Sequence, residues 1–158
     1  DVLCEKLCAK DPENAEFYKN NRDSYKSELI ALDSEFEKTV ASSKRKTLVF
    51  GDRFPLRYFT ERYSLDYYAA FPGCTADAEP SAGTVAFLIN KIKEEKIPVV
   101  FYIEMSNMKM ADILCEETGA KKMLFSSCHN ITAKEFESGV TYLELMQNNL
   151  SALKEALN

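Results

Sequence analysis

Pro98-Val99-Val100-Phe101-Tyr102-Ile103-Glu104 decides the fold. Five apolar or aromatic residues follow a proline and end at a carboxylate. The run is too short for a helix, and both of its faces are apolar. That is the pattern of a strand buried on both sides, as parallel strands are. Working outward, Thr47-Leu48-Val49-Phe50, Leu65 to Phe71 and Lys122 to Phe125 have the same texture. Between them lie segments of helical spacing: Phe54 to Tyr63, a helix opened by Glu79-Pro80-Ser81 with Val85, Leu88, Ile89 and Ile92 inward, and Lys109 to Thr118 stopped by Gly119. A last helix, Gly139 to Leu157, aligns Val140, Leu143, Met146, Leu150, Leu153 and Leu157. Strand-helix alternation of this kind predicts an α/β fold, a four-stranded parallel sheet with helices on both faces.

A long helix precedes this region. Asp11-Pro12-Glu13 has the N-cap, N1 proline and acidic first turn of a helix start. Behind it Ala15, Tyr18, Tyr25, Leu29, Leu32, Phe36 and Val40 form one apolar stripe, interrupted by Arg22. Val2 to Ala9 reads as a short helix with Cys4 and Cys8 on one face. The expected division is 1–43, a short helix and a long connector helix, and 44–158, an α/β lobe.

The 158 residues amount to one domain's length, with 46% hydrophobic and 28% charged residues. A net charge of −5, with no basic stripe beyond Lys44-Arg45-Lys46, argues against a nucleic-acid partner. No run of 18 apolar residues exists to span a membrane. No signal peptide is visible, and the chain begins Asp1-Val2, which suggests that an upstream segment is missing.

Ligands of parallel sheets bind beyond the carboxyl ends of the strands. Those ends carry Gly51-Asp52, Cys74 to Asp77, Glu104 and Ser126-Ser127-Cys128-His129-Asn130. Glu104, at the mouth of the apolar strand, suits a hard or borderline metal ion, or alternatively caps the following turn. His129 is the only histidine, so no two-histidine chemistry can be built from this chain. Asp52 neighbours Arg53 and Arg57, where a local ion pair competes with a ligand role. Cys128-His129-Asn130 has the residue types of a thiol hydrolase, although members of such sets usually meet from distant parts of a chain. Thr132 and Glu135 fit a capping box for a turn after this cluster. Of five cysteines, Cys74 and Cys128 fall at one end of the sheet, a candidate disulfide outside the cytoplasm. Cys4, Cys8 and Cys115 sit on apolar helical faces and read as packing residues.

Several segments, taken in order, resemble a known family. They are Asp11-Pro12-Glu13-Asn14-Ala15, Gly51-Asp52-Arg53-Phe54-Pro55-Leu56-Arg57-Tyr58-Phe59, Ala78-Glu79-Pro80-Ser81, Phe101-Tyr102-Ile103-Glu104 and Thr141-Tyr142-Leu143-Glu144-Leu145-Met146-Gln147-Asn148-Asn149-Leu150. Together they look like the carboxy-terminal half of the cluster A-I solute-binding proteins of zinc/manganese ABC transporters. The resemblance implies a binding protein rather than an enzyme. It implies two lobes joined by the long helix, of which the amino-terminal lobe is missing here, with Zn2+ or Mn2+ held between them. It further implies a membrane permease as partner and an extracytoplasmic, lipid-anchored location. Of the family's ligand positions in this lobe, Glu104 keeps its carboxylate, while a histidine position falls on Gly51 and an aspartate position on Ser126. Asp52, His129 and Cys128 are the neighbours available to compensate. The two altered positions leave open a divergent member that has lost metal binding and takes another ligand or partner.

Overall fold

The computed structural model describes residues 1–71 and 80–158. By compactness the chain divides into two units, residues 1–35 and 36–158. The first unit holds α1 (Val2–Lys10), a short 3-10 turn (Pro12–Asn14) and the start of α2 (Ala15–Ser42). At about 1.5 Å per residue, the 28 residues of α2 run about 42 Å. The expected N-cap is redirected. Asp11 makes no side-chain cap bond to the backbone. Its Oδ2 instead accepts from Asn14 Nδ2 at 2.9 Å and Tyr18 Oη at 2.8 Å.

In the second unit, β1 (Thr47–Arg53), α3 (Arg57–Tyr63), β2 (Asp66–Phe71), α4 (Ala82–Glu95), β3 (Val99–Tyr102), α5 (Lys109–Thr118) and β4 (Lys121–Leu124) alternate as the sequence pattern requires. All pairings are parallel, in the order β2-β1-β3-β4. Side chains alternate across such strands, so successive residues serve different layers. Val49 and Val100 join Leu88, Ile92, Ala111 and Leu114 in a core under α4 and α5. Phe50 and Phe101 meet Phe125 at 6.1 and 5.3 Å between ring centroids. Phe59 extends that cluster to Phe36. Edge-to-face aromatic pairs of this kind add to the plain gain from burial.

Two differences lie beyond β4. The turn after Thr132 is a full helix, α6 (Ala133–Ser138), with the Thr132/Glu135 capping box in place. The final helix, α7 (Tyr142–Leu157), therefore starts three residues later than its hydrophobic pattern suggests. Gly139 ends α6 at φ +72°, and a second capping box, Thr141 with Glu144, starts α7. The buried face of α7 centres on Leu145, Asn149, Leu153 and Ala156, with Leu143 and Met146 only half-buried. An apolar stripe alone could not show that a polar asparagine belongs inside.

Candidate metal centre

The chain order places the switch point of the sheet between β1 and β3, where the loops after the two strands diverge and a crevice forms. The crevice is lined by Arg53, Pro55, Ile103, Glu104, Met105, Ser127, His129 and Asn130, with a volume of about 510 Å3. Glu104 and His129 thus face one cleft. Asp52 lines an adjoining cleft with Phe71, Ser106 and Asn107. Arg53 and Met105 border both.

Glu104 is held by the loop that follows β4. Its Oε2 accepts from the Ser127 N–H at 2.7 Å, and its Oε1 accepts from the Ser127 hydroxyl. The N–H groups of His129 and Asn130 also point at Oε1, at 3.3 and 3.4 Å. Burial works to raise the pKa of this carboxyl. The hydroxyl and backbone donors outweigh burial, and the group lies below its ordinary value. The loop in turn is gripped by α7. Asn149 Oδ1 accepts from the Ser126 N–H at 2.7 Å, and Asn149 Nδ2 donates to the Ser126 carbonyl at 2.8 Å. Ser126 spends its own hydroxyl as acceptor for the Cys128 N–H. Sequence reasoning quotes Asn149 within the segment 141–150 but gives it no part in positioning the loop beside Glu104. The one signal for Asn149 was a polar residue inside an otherwise apolar helical face.

Asp52 is committed as well. The register of β1 against β2 slips between Phe50 and Arg53, as at a bulge, and the Asp52 side chain is buried there. Its Oδ1 accepts from the Arg53 N–H at 2.7 Å, and its Oδ2 from the Ile103 N–H at 3.3 Å. Asp52 thereby ties the ends of β1 and β3 together across the switch point. Arg53 Nε stands 3.7 Å away, whereas Arg57 pairs with Glu61 at 2.8 Å.

Gly51 carries its own constraint. A Cβ built there would lie 2.5 Å from Ala111 Cα and 2.7 Å from Ala111 N. Those are backbone atoms of α5, so no side chain fits without moving the helix. Among the described residues, no three His, Cys, Asp or Glu side chains come together in a metal-binding group. Cys128 adopts φ +58°, and burial pushes its thiol pKa up, with Glu104 nearby adding to the rise. An activated nucleophile needs the opposite shift. Cys74 belongs to residues 72–79, so its pairing with Cys128 lies outside the described residues.

A family model described as zinc-uptake complex component A, periplasmic (ZnuA), matches residues 1–156. The chain belongs to the ZnuA family. It is similar to the high-affinity zinc uptake system protein ZnuA of Bacillus subtilis, 30% identical over 151 residues, which are 96% of this chain and 47% of that protein. Similarity to the zinc-binding lipoprotein AdcA of Streptococcus pneumoniae is 30% over 149 residues, 94% of this chain and 29% of AdcA. The chain thus spans less than half the length of these ZnuA-family relatives. Among solved structures, the metal-dependent lipoprotein YcdH of Bacillus subtilis superposes with a TM-score of 0.83 at 29% identity, over 99% of this chain and 58% of that one. The Zn(II)-bound ZnuA-like domain of Streptococcus pneumoniae AdcA gives 0.77 at 28% identity, over 98% and 57%. These likenesses agree with the parallel α/β architecture expected from the sequence.

Proposed function

We propose that this chain is the carboxy-terminal part of an extracytoplasmic solute-binding protein that captures Zn2+ and passes it to an ABC-transporter permease. The observation that carries the reading is Glu104. It stands at the carboxyl end of β3, at the switch point, its pKa held below the ordinary value, in a cleft that His129 also lines. Carboxylate oxygen and imidazole nitrogen are both zinc donors. Zinc is preferred over Mn2+ because ZnuA and AdcA carry zinc in their names. The amino-terminal lobe would bring the remaining ligands, and a lipid anchor would sit upstream, as in the lipoprotein relatives. Calorimetry with Zn2+ and Mn2+ on the protein carrying both lobes tests the reading. Zinc heat that falls at least tenfold in affinity on Glu104→Ala supports it. Absence of heat with either ion, or an unchanged zinc affinity in the variant, refutes it.

A second reading has its own support: a divergent member in which this lobe no longer binds metal. Gly51 is closed off by Ala111, Ser126 points its hydroxyl at its own loop, and Glu104 already accepts from the Ser127, His129 and Asn130 N–H groups. Metal analysis of the two-lobed protein after purification separates the two. One zinc per chain favours transport, and none favours divergence.

A further inference from the structure

Among the described residues, the Arg53 guanidinium makes no hydrogen bond, although its side chain is only one-third exposed. Its ion-pair contact there is with Asp52, whose Oδ1 stands 3.7 Å from Nε and already accepts from the Arg53 main-chain N–H at 2.7 Å. The other Asp52 oxygen is taken by the Ile103 N–H. A guanidinium holds five N–H donors in a fixed fork that fits a carboxylate through two bonds at once. At Arg53 that fork is unspent, and the residue borders both the Glu104 cleft and the adjoining one.

Glu104 is in the opposite condition. It already accepts from the Ser127 hydroxyl and from the N–H groups of Ser127, His129 and Asn130. The open demand of the cleft is therefore for an acceptor of negative charge. A bare divalent cation entering it meets a like charge at Arg53. An ion that arrives with a carboxylate on it meets a partner there. The room is in keeping with this. Six waters around an ion, at about 30 Å3 each, fill about 180 Å3. The cleft holds about 510 Å3, within the range of small-molecule sites, and the adjoining one about 220 Å3.

We propose that the cargo of this cleft is zinc carried by a small hydroxy- or amino-carboxylate, with Arg53 gripping the carboxylate while Glu104 and His129 meet the metal. The inference rests on the reading of the cleft as a zinc-capture site and names what the zinc brings with it. The organic carboxylate takes coordination positions that this lobe leaves open, since no three His, Cys, Asp or Glu side chains gather among the described residues. Arg53 is then a specificity residue: it attracts the complex and disfavours the naked ion.

The test dialyses the two-lobed protein against radiolabelled zinc together with radiolabelled citrate or histidine, and counts both labels on the chain. Zinc and one of the two carboxylates should be retained in equal amounts, and the carboxylate at least tenfold more weakly when zinc is left out. Arg53→Gln should weaken retention of the carboxylate at least tenfold and raise the affinity for zinc alone, because the repelling charge is gone. A residue that merely holds the fold would lower both. Zinc retained with neither carboxylate overturns the chelate and leaves zinc capture standing. Retention of neither zinc nor carboxylate overturns both readings. A carboxylate held equally well without zinc overturns the zinc reading and the chelate with it, and an equal loss of both labels in Arg53→Gln overturns the role of Arg53.

Discussion

Replacing Asn149 by alanine should cost this chain about 3 kcal/mol and loosen the loop that holds Glu104. The side chain is 2% exposed and spends both ends on Ser126, accepting from its N–H at 2.7 Å and donating to its carbonyl at 2.8 Å. Ser126 is itself buried, so Asn149→Ala orphans its N–H and leaves its carbonyl only the weak Cys128 thiol donor, 3.9 Å away. Each orphaned group costs about 1–3 kcal/mol. The lower half of that range applies because the neighbouring cleft admits water, giving about 3 kcal/mol for the pair. In a domain of this size, a loss of 1 kcal/mol lowers the midpoint by about 2–4 °C, so about 6–12 °C is expected. Urea titration and thermal melting measure the loss. Hydrogen exchange at the Ser127, His129 and Asn130 amides, the donors to Glu104, reads the loop. A loss below about 1 kcal/mol, with those amides protected as before, refutes the argument that α7 holds the site in shape.

Three further outcomes follow from the geometry. Gly51→Ala drives a Cβ to within 2.5 Å of backbone in α5, so urea denaturation should show a loss of about 3 kcal/mol or more, at the upper end of overpacking costs. Ser127→Ala removes the hydroxyl that, after burial, weighs most on Glu104, so the carboxyl should titrate at higher pH in a carbon-detected NMR titration. Glu135 and Glu144 both lie below the ordinary glutamate value, each held first by backbone and then by side-chain hydrogen bonds of its capping threonine. A carboxyl depressed by folding stabilises above its unfolded pKa of about 4.3, and the contribution fades as pH falls through the folded value. The first turns of α6 and α7 should therefore fray on acidification ahead of the sheet, which amide exchange across that range would show.

The sheet was legible because buried parallel strands advertise themselves. Val99 to Ile103 needs no partner to be recognised, and Lys109 to Thr118 announced its end with Gly119. Glu104 was legible for the same reason, as a charge ending an apolar run. What the pattern could not carry was long-range hydrogen bonding. Nothing local says that Asn149 reaches across to Ser126 or that Asp52 spends an oxygen on the Ile103 N–H. The loop's embrace of Glu104 was equally hidden, because its donors are main-chain N–H groups, which every residue but proline carries.

The contact of Gly51 with Ala111 couples two positions that lie far apart in the chain. A Cβ at position 51 would stand 2.5 Å from Ala111 Cα and 2.7 Å from its N, atoms that no rotamer change can move. Any residue but glycine at position 51 therefore needs a second, compensating change that shifts α5 away from β1. Neither change is gained singly without loss of packing, so the two positions can be redesigned only together.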